Sequence, residues 1–191
     1  QIMGEDDLPD LNLRRVRFFT HKHHHSHAAG GYYTSPFSDA AVLVVDAIGE
    51  WQTTSIWHGR GNKLKLRWSQ RYPHSLGLWY SAMTQRVGLK PNEEEYILMG
   101  WAALGDPDRL YSKIKSEFFE EISPYSAKIS LRHNLHRGCL GWAPELQTLQ
   151  DLADICAATQ RIYEECFEHL CQHARSMTPV SYTHLRAHET G

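Results

Sequence analysis

Ala40-Ala41-Val42-Leu43-Val44-Val45-Asp46 is the stretch on which the reading of the fold turns. A continuous apolar run rich in β-branched residues is the mark of a strand buried on both faces. A lone carboxylate, Asp46, stands at its C-terminal end, and Gly49 supplies a turn. Downstream, Trp51, Thr53, Ser55 and Trp57 alternate, Gly59-Arg60-Gly61-Asn62 interrupts, and Leu64, Leu66 and Trp68 resume the alternation. Two alternating runs about a Gly-Asn turn predict a β-hairpin. Upstream, Arg17-Phe18-Phe19 leads into a histidine cluster, His21–His27, and then Ala28-Ala29-Gly30-Gly31, which predicts a helix ended by the glycines. Residues 1–15 are polar and read as a loop.

Beyond the hairpin the period changes to that of a helix. Leu76, Leu78, Trp79, Ala82, Met83 and Val87 form one stripe. Further helices are predicted over Glu95–Leu104, Asp108–Glu121, and from Pro144 to about Arg175, the last with Leu149, Leu152, Cys156, Thr159, Tyr163, Cys166 and Leu170 on one face. Strands first and helices after predict an α/β or α+β layer structure, its sheet edge completed by sequence outside this stretch.

At 191 residues the chain suggests one domain or a large part of one. Twenty Lys and Arg against 22 Asp and Glu leave no basic excess to neutralise phosphates, which argues against nucleic acid as a partner. No apolar run approaches the length that spans a bilayer, and no leader pattern is visible, so neither membrane nor export is expected. Cys139, Cys156, Cys166 and Cys171 lack CxxC spacing and read as reduced thiols of a cytoplasmic protein. Val180-Ser181-Tyr182-Thr183-His184-Leu185-Arg186-Ala187-His188-Glu189-Thr190 matches a reading-frame translation of a transposase adapter used in DNA library preparation. The domain is therefore expected over residues 1–178, with 179–191 an adapter-derived tail set aside from fold reasoning.

The strongest chemical signal is His23-His24-His25-Ser26-His27. On a helix His23 and His27 lie one turn apart on one face, which lets two imidazoles reach one ion, and Asp46 offers a third donor. Two His and one carboxylate suit Fe(II), Zn(II) or Mn(II). On the residues alone a solvated, tag-like histidine run fits as well.

The motif His23-His24-x-Ser26-His27-Ala28-Ala29, then Ser35-Pro36-Phe37, then Ala40–Asp46-x-x-Gly49-Glu50, is similar to the N-terminal domain of O-carbamoyltransferases of the nodulation protein U type, including the tobramycin and cephalosporin carbamoyltransferases. Ser75-Leu76-Gly77-x-x-Tyr80-Ser81-Ala82-x-Thr84-Gln85, Glu95-Tyr96-x-x-Met99-Gly100-x-Ala102 and Leu135-His136-Arg137-Gly138 continue the resemblance in order, over about residues 20–175. It implies a partial actin/Hsp70-like nucleotide-binding fold, related to the domain that transfers threonylcarbamoyl groups to tRNA. It implies a divalent metal, Fe(II), held by His23, His27 and Asp46, with a further ligand outside this chain. It implies that a C-terminal adenylating (YrdC-like) domain makes carbamoyl adenylate from carbamoyl phosphate and ATP, and that the present domain moves the carbamoyl group to a hydroxyl of a small molecule or saccharide.

Gly49, Glu50, Glu95 and Tyr96 are expected to border the nucleotide or substrate; a turn glutamate and a half-buried tyrosine are also ordinary structural residues. His136 and Arg137 suit either a phosphate contact or the surface, and Trp51, Trp57 and Trp68 read first as hairpin packing. The sequence departs from its relatives at Ala47, where Gly is common, at Glu94, where Gly is usual, and at Trp101-Ala102-Ala103-Leu104. Without the second nucleotide-binding half and the adenylating domain, the isolated stretch is expected to be inactive. The competing readings are a non-catalytic metal-binding module and a tRNA threonylcarbamoyl transferase-like domain.

Overall fold

The computed structural model describes residues 19–123 and 125–178, and the backbone of residues 183–187. Helix α1 (His23–Tyr33) leads into a meander of β1 (Asp39–Gly49), β2 (Gln52–Arg60) and β3 (Lys63–Arg71). Then come α2 (Leu76–Arg86), α3 (Glu95–Ala102), α4 (Pro107–Phe118), a hairpin of β4 (Phe119–Ser123) and β5 (Ser126–Ile129), the long α5 (Leu149–Met177) and β6 (Thr183–Ala187). The main sheet has the order β3-β2-β1-β6, antiparallel through the meander and parallel between β1 and β6. The fold class is mixed α/β.

β1 explains the layering. Its alternate residues Ala41, Leu43 and Val45 enter the large core shared with α2 and α5, while Ala40, Val42 and Val44 enter a smaller core under α1. Both faces are covered, as the unbroken apolar run predicts. The hairpin turns at Gly61-Asn62, and Gly61 takes a positive φ of 57° there.

The helix expected over Glu95–Leu104 ends at Ala102, and further boundaries differ from the sequence reading, most of them for a tertiary reason. α1 does not stop at Gly30-Gly31 but runs to Tyr33, because Gly31 and Tyr32 are buried against the sheet and the Tyr32 hydroxyl bonds to the Ser38 and Gly61 carbonyls. β1 does not end at Asp46 but continues to Gly49, with its register to β2 broken between Val45 and Gly49. α4 ends at Phe118 instead of Glu121, because Phe119–Ser123 pairs with Ser126–Ile129. α5 begins at Leu149, well after Pro144. Thr148 caps it reciprocally with Asp151, while the Arg86 guanidinium donates to the carbonyls of Trp142, Ala143 and Leu146 and holds the preceding loop out of the helix. Leu149 consequently faces solvent, and Ile155, Ala158 and Ile162 share the buried face with Cys156, Cys166 and Leu170.

β6 falls inside the tail set aside above. Its ladder to Ala41–Val45 is made by backbone groups, which any extended segment supplies whatever its side chains. All four cysteines are unpaired, and burial pushes the thiols of Cys139, Cys156 and Cys166 up to about 12. Among the described residues no helix is long and apolar enough to cross a membrane.

Candidate metal centre

The first turn of α1 lies over the end of β1. His23 Nε2 is 2.6 Å from Asp46 Oδ2 and 2.9 Å from His27 Nε2, and His27 Nε2 is 3.9 Å from the same carboxylate oxygen. His23 and His27 come together because they are separated by four residues on one helix. Asp46 joins them because the strand places it on the α1 face, two residues beyond Val44. Its side chain is only 7% exposed, against 43% for His23, so the carboxylate forms the floor and His23 the open rim.

The backbone around Asp46 is held tightly. Asp46 Oδ1 accepts the Ala47 amide at 2.7 Å, which leaves Oδ2 for the imidazoles. Ser75, the N-cap of α2, donates its hydroxyl to the Ala47 carbonyl at 2.6 Å and accepts the Leu78 amide. At Gly77 an added Cβ would lie 2.9 Å from the Asp46 carbonyl carbon and from the Ala47 nitrogen, so α2 approaches this turn as closely as glycine allows.

His23, His27 and Asp46 are a group whose donor atoms all lie within 4.8 Å of one another. Donors bound at about 2.1 Å to one ion are roughly 3.0–3.4 Å apart in octahedral or tetrahedral arrangements. The observed separations of 2.6, 2.9 and 3.9 Å bracket that range, so the three side chains fit a divalent cation with little movement. Two neutral imidazoles and a carboxylate, with one side open to solvent, form the donor set that suits Fe(II), Mn(II) or Zn(II).

Gly49 belongs to this place as well. A Cβ there would stand 2.4 Å from His23 Cδ2 and 2.6 Å from His24 Cδ2, so its nearest neighbours are imidazoles. Glu50 follows it at the exposed turn with a φ of 59°. Glu95 and Tyr96 are elsewhere, on α3 in the helical layer of the large core. The Glu95 carboxylate accepts the Ser81 hydroxyl and the Asn92 amide, and Tyr96 is mostly exposed. His136 and Arg137 are exposed on a short turn, with the His136 ring against Tyr72. Trp57 is buried and Trp68 packs against the large core, as hairpin residues should, but Trp51 is exposed.

Two residues were not singled out from the sequence. His24 is fully buried, its Nδ1 2.7 Å from Ser55 Oγ. Burial pulls its pKa down to about 4; His23 and His27 add to this, and Asp46 and the Gln52 backbone oppose it. Its Nε2 has no partner of full hydrogen-bond geometry among the described residues, the Gln52 backbone giving only a weaker favourable interaction. Ser55 could have been noticed as a hydroxyl in a strand whose neighbours are all buried.

A mixed α/β domain with a two-histidine, one-carboxylate cluster over the end of its central strand is the class that fold and site define. Residues 7–172 match the carbamoyltransferase N-terminus family, and the chain belongs to that family. It is 27% identical over 162 residues to nodulation protein NolO of Bradyrhizobium diazoefficiens, covering 83% of this chain and 29% of that protein. It is 25% identical over 182 residues to nodulation protein NolNO of Sinorhizobium fredii, covering 94% of this chain and 26% of that protein. An uncharacterized protein of Synechocystis sp. is 54% identical over 101 residues, 53% of this chain and 15% of its own length. The chain thus spans less than a third of the length of these relatives.

Proposed function

We propose that this chain is the metal-holding part of an ATP- and carbamoyl-phosphate-dependent O-carbamoyltransferase that acts on a hydroxyl of a small molecule or saccharide. The observation that carries the reading is the convergence of His23, His27 and Asp46 on one point, in a chain of the carbamoyltransferase N-terminus family. On this reading the domain has an actin/Hsp70-like nucleotide-binding fold and works in the cytoplasm. The adenylating domain then lies elsewhere in a longer protein, as the greater length of the relatives allows.

In the transfer step the acceptor hydroxyl oxygen bonds to the carbamoyl carbon of carbamoyl adenylate. The bond from that carbon to the phosphate oxygen breaks, AMP leaves, and the hydroxyl proton is lost. His23, His27 and Asp46 would hold Fe(II) or a similar cation, which would supply Lewis-acid stabilisation of negative charge developing on oxygen. The chain's own contribution is to hold these donors in place. The Ala47 amide fixes one Asp46 oxygen, Ser75 fixes the Ala47 carbonyl, and Gly49 leaves room for two imidazoles.

The test uses the longer protein that carries this chain and follows pyrophosphate release and carbamoylated product separately. Asp46→Asn keeps the shape and one acceptor oxygen but removes the charge. Partners one step removed from a metal are typically worth roughly 10–100-fold, so losing a ligand charge is expected to slow transfer at least that much while leaving adenylation intact. Unchanged product formation would overturn the reading.

A further inference from the structure

His24 sits between two candidate ligands yet points away from them, into the sheet. Its Nδ1 lies 2.7 Å from Ser55 Oγ, and Ser55 Oγ lies 2.8 Å from Trp57 Nε1. An indole nitrogen can only donate, so Ser55 accepts from Trp57. The Ser55 hydroxyl proton is then met by an acceptor when His24 Nδ1 is the unprotonated nitrogen, which is the neutral Nε2–H tautomer.

We infer that this chain of hydrogen bonds, Trp57 to Ser55 to His24, is a positioning device that sets the rotation of α1 and so aims His23 and His27 at Asp46. The inference rests on the metal reading proposed above. Ser55 pairs with Val44, and Asp46 lies two residues further along β1 on the same face, so the anchor is beside the carboxylate it serves. Rotating a helix by about 20° moves side-chain ends by roughly 2 Å at a radius of about 5–6 Å. Metal–ligand distances tolerate only about 0.2 Å. Tyr32 anchors the far end of α1 through its hydroxyl bonds to the Ser38 and Gly61 carbonyls, and in the first turn, beside the candidate ligands, the hydrogen bond between His24 and Ser55 ties the helix to β2. Gly49 completes the arrangement by letting the His23 and His24 rings lie against the turn.

The experiment measures Co(II) affinity of the 191-residue chain, unaltered and as Ser55→Ala, His24→Phe and the double variant, with melting temperature recorded for each. Ser55→Ala and His24→Phe are each expected to weaken Co(II) binding by about 10-fold or more, and the double variant no further than His24→Phe alone. Variants that stay folded and bind like the unaltered chain would overturn the inference. A second measurement needs neither metal nor mutation. Long-range 15N–1H NMR of the metal-free chain is expected to show His24 as the Nε2–H tautomer, and an Nδ1–H ring would overturn the inference. Should the unaltered chain bind no Co(II), the metal reading alone falls. The His24 tautomer, and displaced His23 and His27 ring resonances in Ser55→Ala, still decide the positioning role.

Discussion

At the scale of single residues, the site depends on what is absent as much as on the donors. Gly49 has no side chain, and any Cβ there would lie well inside contact distance of two imidazoles. The neighbours cannot yield cheaply, because His24 is buried and hydrogen-bonded and His23 touches Asp46. Gly49→Ala is therefore expected to destabilise the chain by about 1–3 kcal/mol, the usual range for overpacking. It should also lower metal affinity out of proportion to that loss, because the strain falls on His23. Thermal melts beside a metal titration check this, and an alanine variant with unchanged melting and affinity would contradict it. The spacing of His23 and His27 was legible because helical periodicity fixes which face they share. The roles of His24 and Ser55 were not, because their meeting depends on how α1 lies on β2, which no local pattern encodes.

Among the elements, α5 organises the large core and α4 is tied to its first turns by charge. Arg109 donates to Asp151 and Asp154, each at 2.5 Å, and Asp154 also accepts the Asp106 amide. Asp151 is held well below the usual carboxylate range by the Thr148 hydroxyl and then by Arg109. Asp154 is pushed up by burial, but the Asp106 amide and Arg109 outweigh that and lower it on balance. Both carboxylates thus titrate lower folded than unfolded, so their contribution is complete above about pH 4 and is lost as pH falls further. Asp154→Asn is expected to melt below the unaltered chain at pH 7, with the gap closing as pH is lowered below about 4. A gap that stays constant across that range would show that the clamp is not electrostatic. The same elements mark the limits of periodicity. The Thr148–Asp151 cap is written in the sequence, whereas Pro144 reads locally as a helix start and is kept out of α5 by Arg86, which holds the intervening carbonyls. The end of α4 was misplaced because a long-range pairing with Ser126–Ile129 overrides local helical preference.

For the whole molecule, β1 is the common wall of two cores and the floor of the candidate metal centre. Its two-faced burial was legible from Ala40–Val45 because an unbroken apolar run has few other homes in a mixed fold. The partner on its second edge was not, since a ladder of backbone bonds leaves little trace in side chains. That edge carries its own expectation. Removing residues 179–191 bares the backbone groups of Ala41–Val45 and is expected to promote self-association in sedimentation velocity. Rewriting the five residues of β6 with other strand formers should leave the association state unchanged. Equal behaviour of the two variants would mean that β6 does not guard the edge.

The central claim is that His23, His27 and Asp46 act together on one ion, and it can be measured on this chain directly. Anaerobic Fe(II) titration of the unaltered chain is expected to saturate at one equivalent. His23→Ala, His27→Ala and Asp46→Asn should each remove most of that binding, while His25→Ala, whose ring lies against Trp57 instead of Asp46, should retain it. Binding without a defined stoichiometry, or lost equally in all four variants, would contradict the account.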